Sequence, residues 1–144
     1  MQFSTLAVVA FLAGVGLAAP AVEGLSKRAR ESIHLADCVT YKVADYYPDD
    51  SQDDNFPATN NECVLSGGFR EGQTSSCTFG SGVTFTYTLD GGALDAPNAQ
   101  LIGTGTNGFH SWNCFRDDNH VLYTDGNGHQ CKTIYVLNLE TEWQ

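Results

Sequence analysis

The chain has 144 residues, 17 acidic side chains against 7 basic ones, and a net charge of −10 at neutral pH. So acidic a surface repels phosphate backbones and anionic bilayers, which argues against nucleic acid or anionic membranes as partners.

The chain opens with MQFSTLAVVAFLAGVGLAAPAVEG, which carries no charged side chain before Glu23. Its apolar run from Leu6 to Ala18 is shorter than the roughly 20 residues of a membrane-spanning helix. It ends in small residues that suit signal peptidase, although no Lys or Arg precedes it. Pro20 disfavours a cut after Ala19, so a signal peptide over 1–18 is expected. The polar segment that follows ends in the dibasic pair Lys27-Arg28. Together they resemble the layout of fungal secretory precursors, which implies a propeptide over 19–28, cleavage after Arg28 and one secreted domain over 29–144. The expected mature chain keeps Arg30, Lys42, Arg70, Arg116 and Lys132 as its basic residues. No later segment is long and apolar enough to insert in a membrane.

From Glu31 the sequence alternates. In SIHLADCVTYKV, residues 32–43, Ile33, Leu35, Val39, Tyr41 and Val43 share one parity, the signature of an extended chain with one apolar face. YYPDDSQDDNFPATNNE, residues 46–62, is read as a loop. Asp49, Asp50, Asp53 and Asp54 would hold calcium only if six to eight oxygens converged, and their spacing fits no EF-hand loop. The expectation is a solvated acidic loop. After the turn cluster SGGFREGQTSS, GVTFTYTL places Val83, Phe85, Tyr87 and Leu89 on one face of a second strand. DGGALDAPN is again turn-forming. In GTGTNGFHSWNCF, Gly103, Gly105 and Gly108 lack the lysine and the helix of a phosphate loop. No window forms an amphipathic helix of three turns. The fold class is therefore all-β: a single antiparallel β-sandwich or small barrel. Tyr46, Tyr47, Phe56, Phe69, Phe109 and Trp143 lie in or beside loops and are expected to seal its ends.

HSWNCFRDDNHVLYTDGNGHQCKTIYVL, residues 110–137, gathers three histidines, three aspartates and two cysteines. Its simplest folding is a three-stranded meander with Asp117-Asp118 and Gly126-Asn127 as two-residue turns. His120 then faces Phe115, Val121 faces Cys114, Thr124 faces His129 and Leu122 faces Cys131. Trp112, Cys114, Val121, Tyr123, Ile134 and Val136 form the core face. His110 lies at a strand end, while His120 and His129 sit roughly 13 Å apart at the strand rise. This excludes a three-histidine metal site, which needs ligands about 2 Å from one ion. No metal, cofactor or catalytic residue is therefore expected. A ribonuclease would need a base and an acid flanking a phosphodiester, plus a cation. His34, His110, Arg70 and Glu71 are the residues that a ribonuclease-like reading must recruit, yet no motif ties them together, and G-x-S-x-G and H-E-x-x-H are missing.

Cys38, Cys63, Cys77, Cys114 and Cys131 contain no C-x-x-C pair and in an exported chain read as disulfide partners. Five cysteines allow at most two bridges. In the meander, Cys114 and Cys131 stand near 10 Å apart, beyond the about 7 Å limit for a bridge. Each therefore pairs with Cys38, Cys63 or Cys77, or stays free. The leftover thiol is either buried in a monomer or available to join a second chain.

The segments CFRDDNHVLY and CKTIY, with the precursor layout, resemble small secreted cysteine-containing fungal proteins of effector or elicitor type. Chains of that type often carry a further cysteine after IY, where Val136-Leu137 stand here. The resemblance implies a non-catalytic role outside the cell, recognised by or acting on a host protein or cell-surface component. The alternatives are a ribonuclease-like hydrolase and a killer-toxin-like antimicrobial protein, the latter at odds with the acidic charge.

Overall fold

The computed structural model describes residues 30–138. The expected signal peptide, propeptide and Lys27-Arg28 site, and Trp143, lie outside them. Nine strands account for nearly half of the described residues: β1 (Ser32–Asp37), β2 (Lys42–Tyr47), β3 (Glu62–Val64), β4 (Thr74–Thr78), β5 (Thr84–Leu89), β6 (Leu101–Thr106), β7 (Ser111–Arg116), β8 (Val121–Thr124) and β9 (Gln130–Asn138). All pairings are antiparallel, in the order β3-β2-β1-β9-β7-β6-β5-β4, with β8 also on β9. The sheet curls until β3 and β4, its two ends, stand side by side, and a Cys63–Cys77 disulfide with Cα atoms 6.1 Å apart crosses the seam. The fold is thus a nearly closed antiparallel barrel, the second of the two architectures expected.

Alternation sets what points inward. Ile33 and Leu35 of β1, Phe85, Tyr87 and Leu89 of β5, Trp112 and Cys114 of β7, and Tyr135 and Leu137 of β9 fill the interior at 2% exposure or less. Each large apolar side chain removed from water contributes roughly 1.5–3 kcal/mol. On β6, a Cβ at Gly105 would stand 2.5 Å from Leu137 Cδ2 and 2.9 Å from Phe85 Cε2. The glycine lets that core close, which is its purpose in a segment that superficially suggests a phosphate loop. Outside, β4 to β7 present an uncharged hydroxyl-rich surface, because Thr74, Thr88, Thr104 and Asn113 fall in one cross-strand row and Ser76, Thr86, Thr106 and Ser111 in the next.

Three expectations need correction. The alternation over 32–43 is interrupted: Cys38 N–H donates to Tyr41 O and the chain reverses, with Val39 at φ 75°. The meander does not form. β7 and β8 lie end to end along one edge of the long β9, whose other edge takes β1, so β7 and β8 are not partners. The β8–β9 turn is also longer than two residues, with Asp125 N–H donating to His129 O and Gly128 at φ 83°. Thr124 therefore faces Gln130, and Tyr123 faces Cys131. A one-residue slip reverses faces: Tyr135 and Leu137 enter the core, whereas Val121 is exposed and Ile134 half-buried.

A bulge between Leu35 and Ala36 shifts β1 against β9. It brings Ala36, Cys38, Val43, Leu122, Tyr123 and Cys131 into a second, smaller core. The Cys38–Cys131 disulfide, with Cα atoms 4.0 Å apart, fastens it.

Candidate functional site

The outward residues of β1 and β2 ought to meet solvent, yet Ser32, His34, Asp45 and Tyr47 are all buried. What covers them is the acidic loop, and this corrects the expectation of a solvated segment. Asp49 caps a 3-10 turn at Asp50–Gln52 by accepting from Ser51 N–H, and Asp50 N–H donates to Arg30 O at 2.7 Å. Tyr47 Oη donates to Asn55 O at 2.9 Å, and the Phe56 ring meets that of Tyr123 at 4.8 Å. The loop is thereby tied down at both ends.

Beneath it lies His34, 2% exposed. Its Nε2 stands 2.9 Å from Asp50 Oδ1 and 3.7 Å from Asp53 Oδ2. Its Nδ1 stands 2.9 Å from Thr133 Oγ1 and 3.4 Å from Asp117 Oδ2, and the Thr133 hydroxyl donates to Asp117 at 2.7 Å. Ser32 Oγ donates a further bond to Asp50. Burial alone would drive the imidazolium to lose its proton, but the bonds and charges of Asp117 and Asp50 outweigh it and raise the pKa to about 9. Burial acts on Asp50 and Asp117 in the opposite sense, and their bonds to His34 hold both below the usual carboxylate range. Asp53, farther from His34, is raised by burial.

Two further groups complete the cluster. His120 brings its ring within 6.3 Å of His34, with Nδ1 on Asp118 and Nε2 3.3 Å from Asp53. Burial opposes its protonation, and Asp118, Asp117 and Asp53 together reverse that and raise its pKa. Asp45, cross-strand partner of His34, is wholly buried, accepts from Tyr123 Oη at 2.8 Å, and leaves Oδ1 without a partner. Burial pushes its pKa up to about 7.

Chemically this is a buried imidazolium neutralised by carboxylates. His34, Asp50 and Asp53 lie within metal-ligand reach of one another, as do Asp53, Asp54 and His120, and Asp117, Asp118 and His120. A cation beside His34 would have to displace a proton that two aspartates hold, and an incoming substrate would have to displace the loop.

The remaining sequence candidates are dispersed. His110 Nδ1 sits 2.9 Å from Glu31 Oε2, and His129 Nδ1 lies 3.3 Å from Asp125 Oδ2, so the three C-terminal histidines lean on different carboxylates. Glu71 accepts from Tyr135 Oη and Leu94 N–H. Arg70 has φ 52° at the turn before it. Cys38 pairs with Cys131 and Cys63 with Cys77, which leaves Cys114 free and buried. Sequence reasoning missed the union of His34 with His120, Asp50, Asp53 and Asp117. Its one visible trace is the polar pair Ser32 and His34 alternating with the apolar Ile33 and Leu35 on β1. No protein-family model, curated protein or solved structure matches the chain.

Proposed function

We propose that the protein works outside the producing cell as a non-catalytic effector or elicitor, recognised by a host protein or cell-surface component. One observation carries the non-catalytic part: His34, the histidine with the richest acid–base surroundings, is 2% exposed and has both ring nitrogens engaged. A general base must reach the proton that it removes. Two disulfides, one across the barrel seam and one between β9 and the β1–β2 turn, support an oxidising destination. Exposed apolar side chains in the turns, Phe109 at 80% and Phe56 at 55% among them, offer contact surface to a partner.

Infiltrating purified protein into leaf tissue tests this reading. Cell death should follow with the native protein and be lost after reduction of its disulfides. The pairing of His34 with His120 among aspartates is what favours a ribonuclease-like hydrolase instead. RNA and glycan zymograms separate the two: a cleared band that disappears in a His34→Gln variant would establish the hydrolase.

A further inference from the structure

Two imidazole nitrogens approach one carboxylate oxygen beneath the acidic loop. Asp53 Oδ2 lies 3.7 Å from His34 Nε2 and 3.3 Å from His120 Nε2, and Asp50 Oδ1 lies 2.9 Å from His34 Nε2. In a tetrahedral zinc site, with bonds of about 2.0–2.1 Å, neighbouring ligand atoms stand about 3.3–3.4 Å apart. The observed separations bracket that value. The groups come from three segments: β1, the acidic loop and the β7–β8 connection.

Each ring is aimed by its other nitrogen. The Thr133 hydroxyl donates to Asp117, so its oxygen accepts from His34 Nδ1–H, and Asp118 accepts from His120 Nδ1–H. Histidines that bind metals are held in this way, the nitrogen remote from the ion donating to an oxygen. The proton that an ion replaces is then the one on His34 Nε2, which passes to solvent. Asp53 and His120 are half-buried, so the gap is reached without lifting the whole loop.

Asp45 supplies a second, independent observation. It is the cross-strand partner of His34, is 0% exposed, and has no donor for Oδ1. Opposed side chains start from Cβ atoms about 4.5–5.5 Å apart. A buried oxygen without a protein donor suits an ion or the water bound to one. Among the described residues, no lysine or arginine forms an ion pair with Asp45, Asp50, Asp53, Asp117 or Asp118.

We infer that His34 Nε2, His120 Nε2, Asp53 and Asp50 bind one divalent transition-metal ion of the zinc class, the two imidazoles selecting it over calcium and magnesium. The sequence expectation of no histidine-bound metal rested on His110, His120 and His129, without His34. This site goes beyond the proposed extracellular role and does not rest on it.

Calorimetric titration of the untagged protein with zinc chloride is the test. One ion per chain should bind saturably. His120→Gln and Asp53→Asn, both at half-buried positions, should each weaken binding by more than the about tenfold that loss of a supporting group costs. His129→Gln should leave the affinity unchanged, although His129 also leans on a carboxylate, and so should Asp95→Asn on the surface. Excess calcium, which takes oxygen ligands, should not displace the zinc. Absence of saturable binding, or unchanged affinity in His120→Gln and Asp53→Asn, would overturn the inference. Displacement by calcium would also overturn it, because it would show an acidic cluster without nitrogen ligands. Unchanged affinity in a His34→Gln protein whose far-UV circular dichroism is retained would do the same, and the His120 and Asp53 variants decide the matter where that protein does not fold.

Discussion

Val39 holds φ at 75° with 71% of its surface exposed, where Val39 N–H donates to Asp37 Oδ1 and Thr40 N–H to Cys38 O. A side chain in the left-handed region is strained by roughly 1–2 kcal/mol, and at this exposure there is little packing to compensate. Val39→Gly should therefore raise stability by about 1 kcal/mol in urea denaturation, the relief of strain outweighing the added freedom of the unfolded chain. The sequence concealed this turn, because a β-branched residue reads as strand and neither glycine nor asparagine marks the reversal. The hidden His34 cluster has a different signature, in pH. The folded pKa of His34 is about 9 against an ordinary 6.5, so between those values the folded protein holds a proton that the unfolded chain has lost. The stability that this proton confers is complete below pH 6.5 and disappears as pH rises through 9. Asp45 slopes in the same direction from about pH 4 to 7, because its raised pKa makes it the stronger proton binder when folded. Asp50 and Asp117, with lowered pKa values, withdraw their contribution when acid protonates them. Stability should accordingly peak in mildly acidic solution. His34→Gln should cost about 3 kcal/mol at pH 6 and flatten the decline between pH 6.5 and 9, as read from urea midpoints across pH.

At the level of elements, the two disulfides close very different loops. Cys63 and Cys77 are 14 residues apart, Cys38 and Cys131 are 93 apart. Loop-closure entropy then predicts a loss of about 3 kcal/mol for Cys63→Ser/Cys77→Ser and about 4–5 kcal/mol for Cys38→Ser/Cys131→Ser. Thermal melts should rank the two double variants in that order. Hydrogen exchange should rise in β3 and β4 after loss of the first bridge, since no other covalent tie spans the seam. How much was legible follows from where the determinants lie. β5 was plain because Phe85, Tyr87 and Leu89 alternate with threonines inside one strand. The β7–β9 region was not, because its pairing is decided by distant partners. Asp117-Asp118 resembles a hairpin turn, but Asp117 turns toward His34 and Thr133. Arg116 fixes the departure, its guanidinium donating to Asp117 O, Ile134 O and Leu94 O. The acidic loop is opaque for the same reason: its charges look solvated until a buried histidine 16 residues upstream is placed beneath them.

For the molecule as a whole, Cys114 bears on the question of a covalent dimer. It is 0% exposed inside the barrel, and burial raises its thiol pKa well above the ordinary value. Only the thiolate attacks, so Cys114 should resist Ellman's reagent in the native protein and react fully in denaturant. A thiol titration under both conditions checks this, and reaction in the native state would reopen an intermolecular bridge. The odd cysteine count was visible from the start, whereas its resolution required the register that faces Cys114 toward Leu137 in the core. The Cys63–Cys77 bond has a consequence that depends on where the protein travels. No backbone ladder links β3 to β4, so a thiol-rich cytosol would unfasten the clasp and bare two strand margins together, each a template onto which another polypeptide can add.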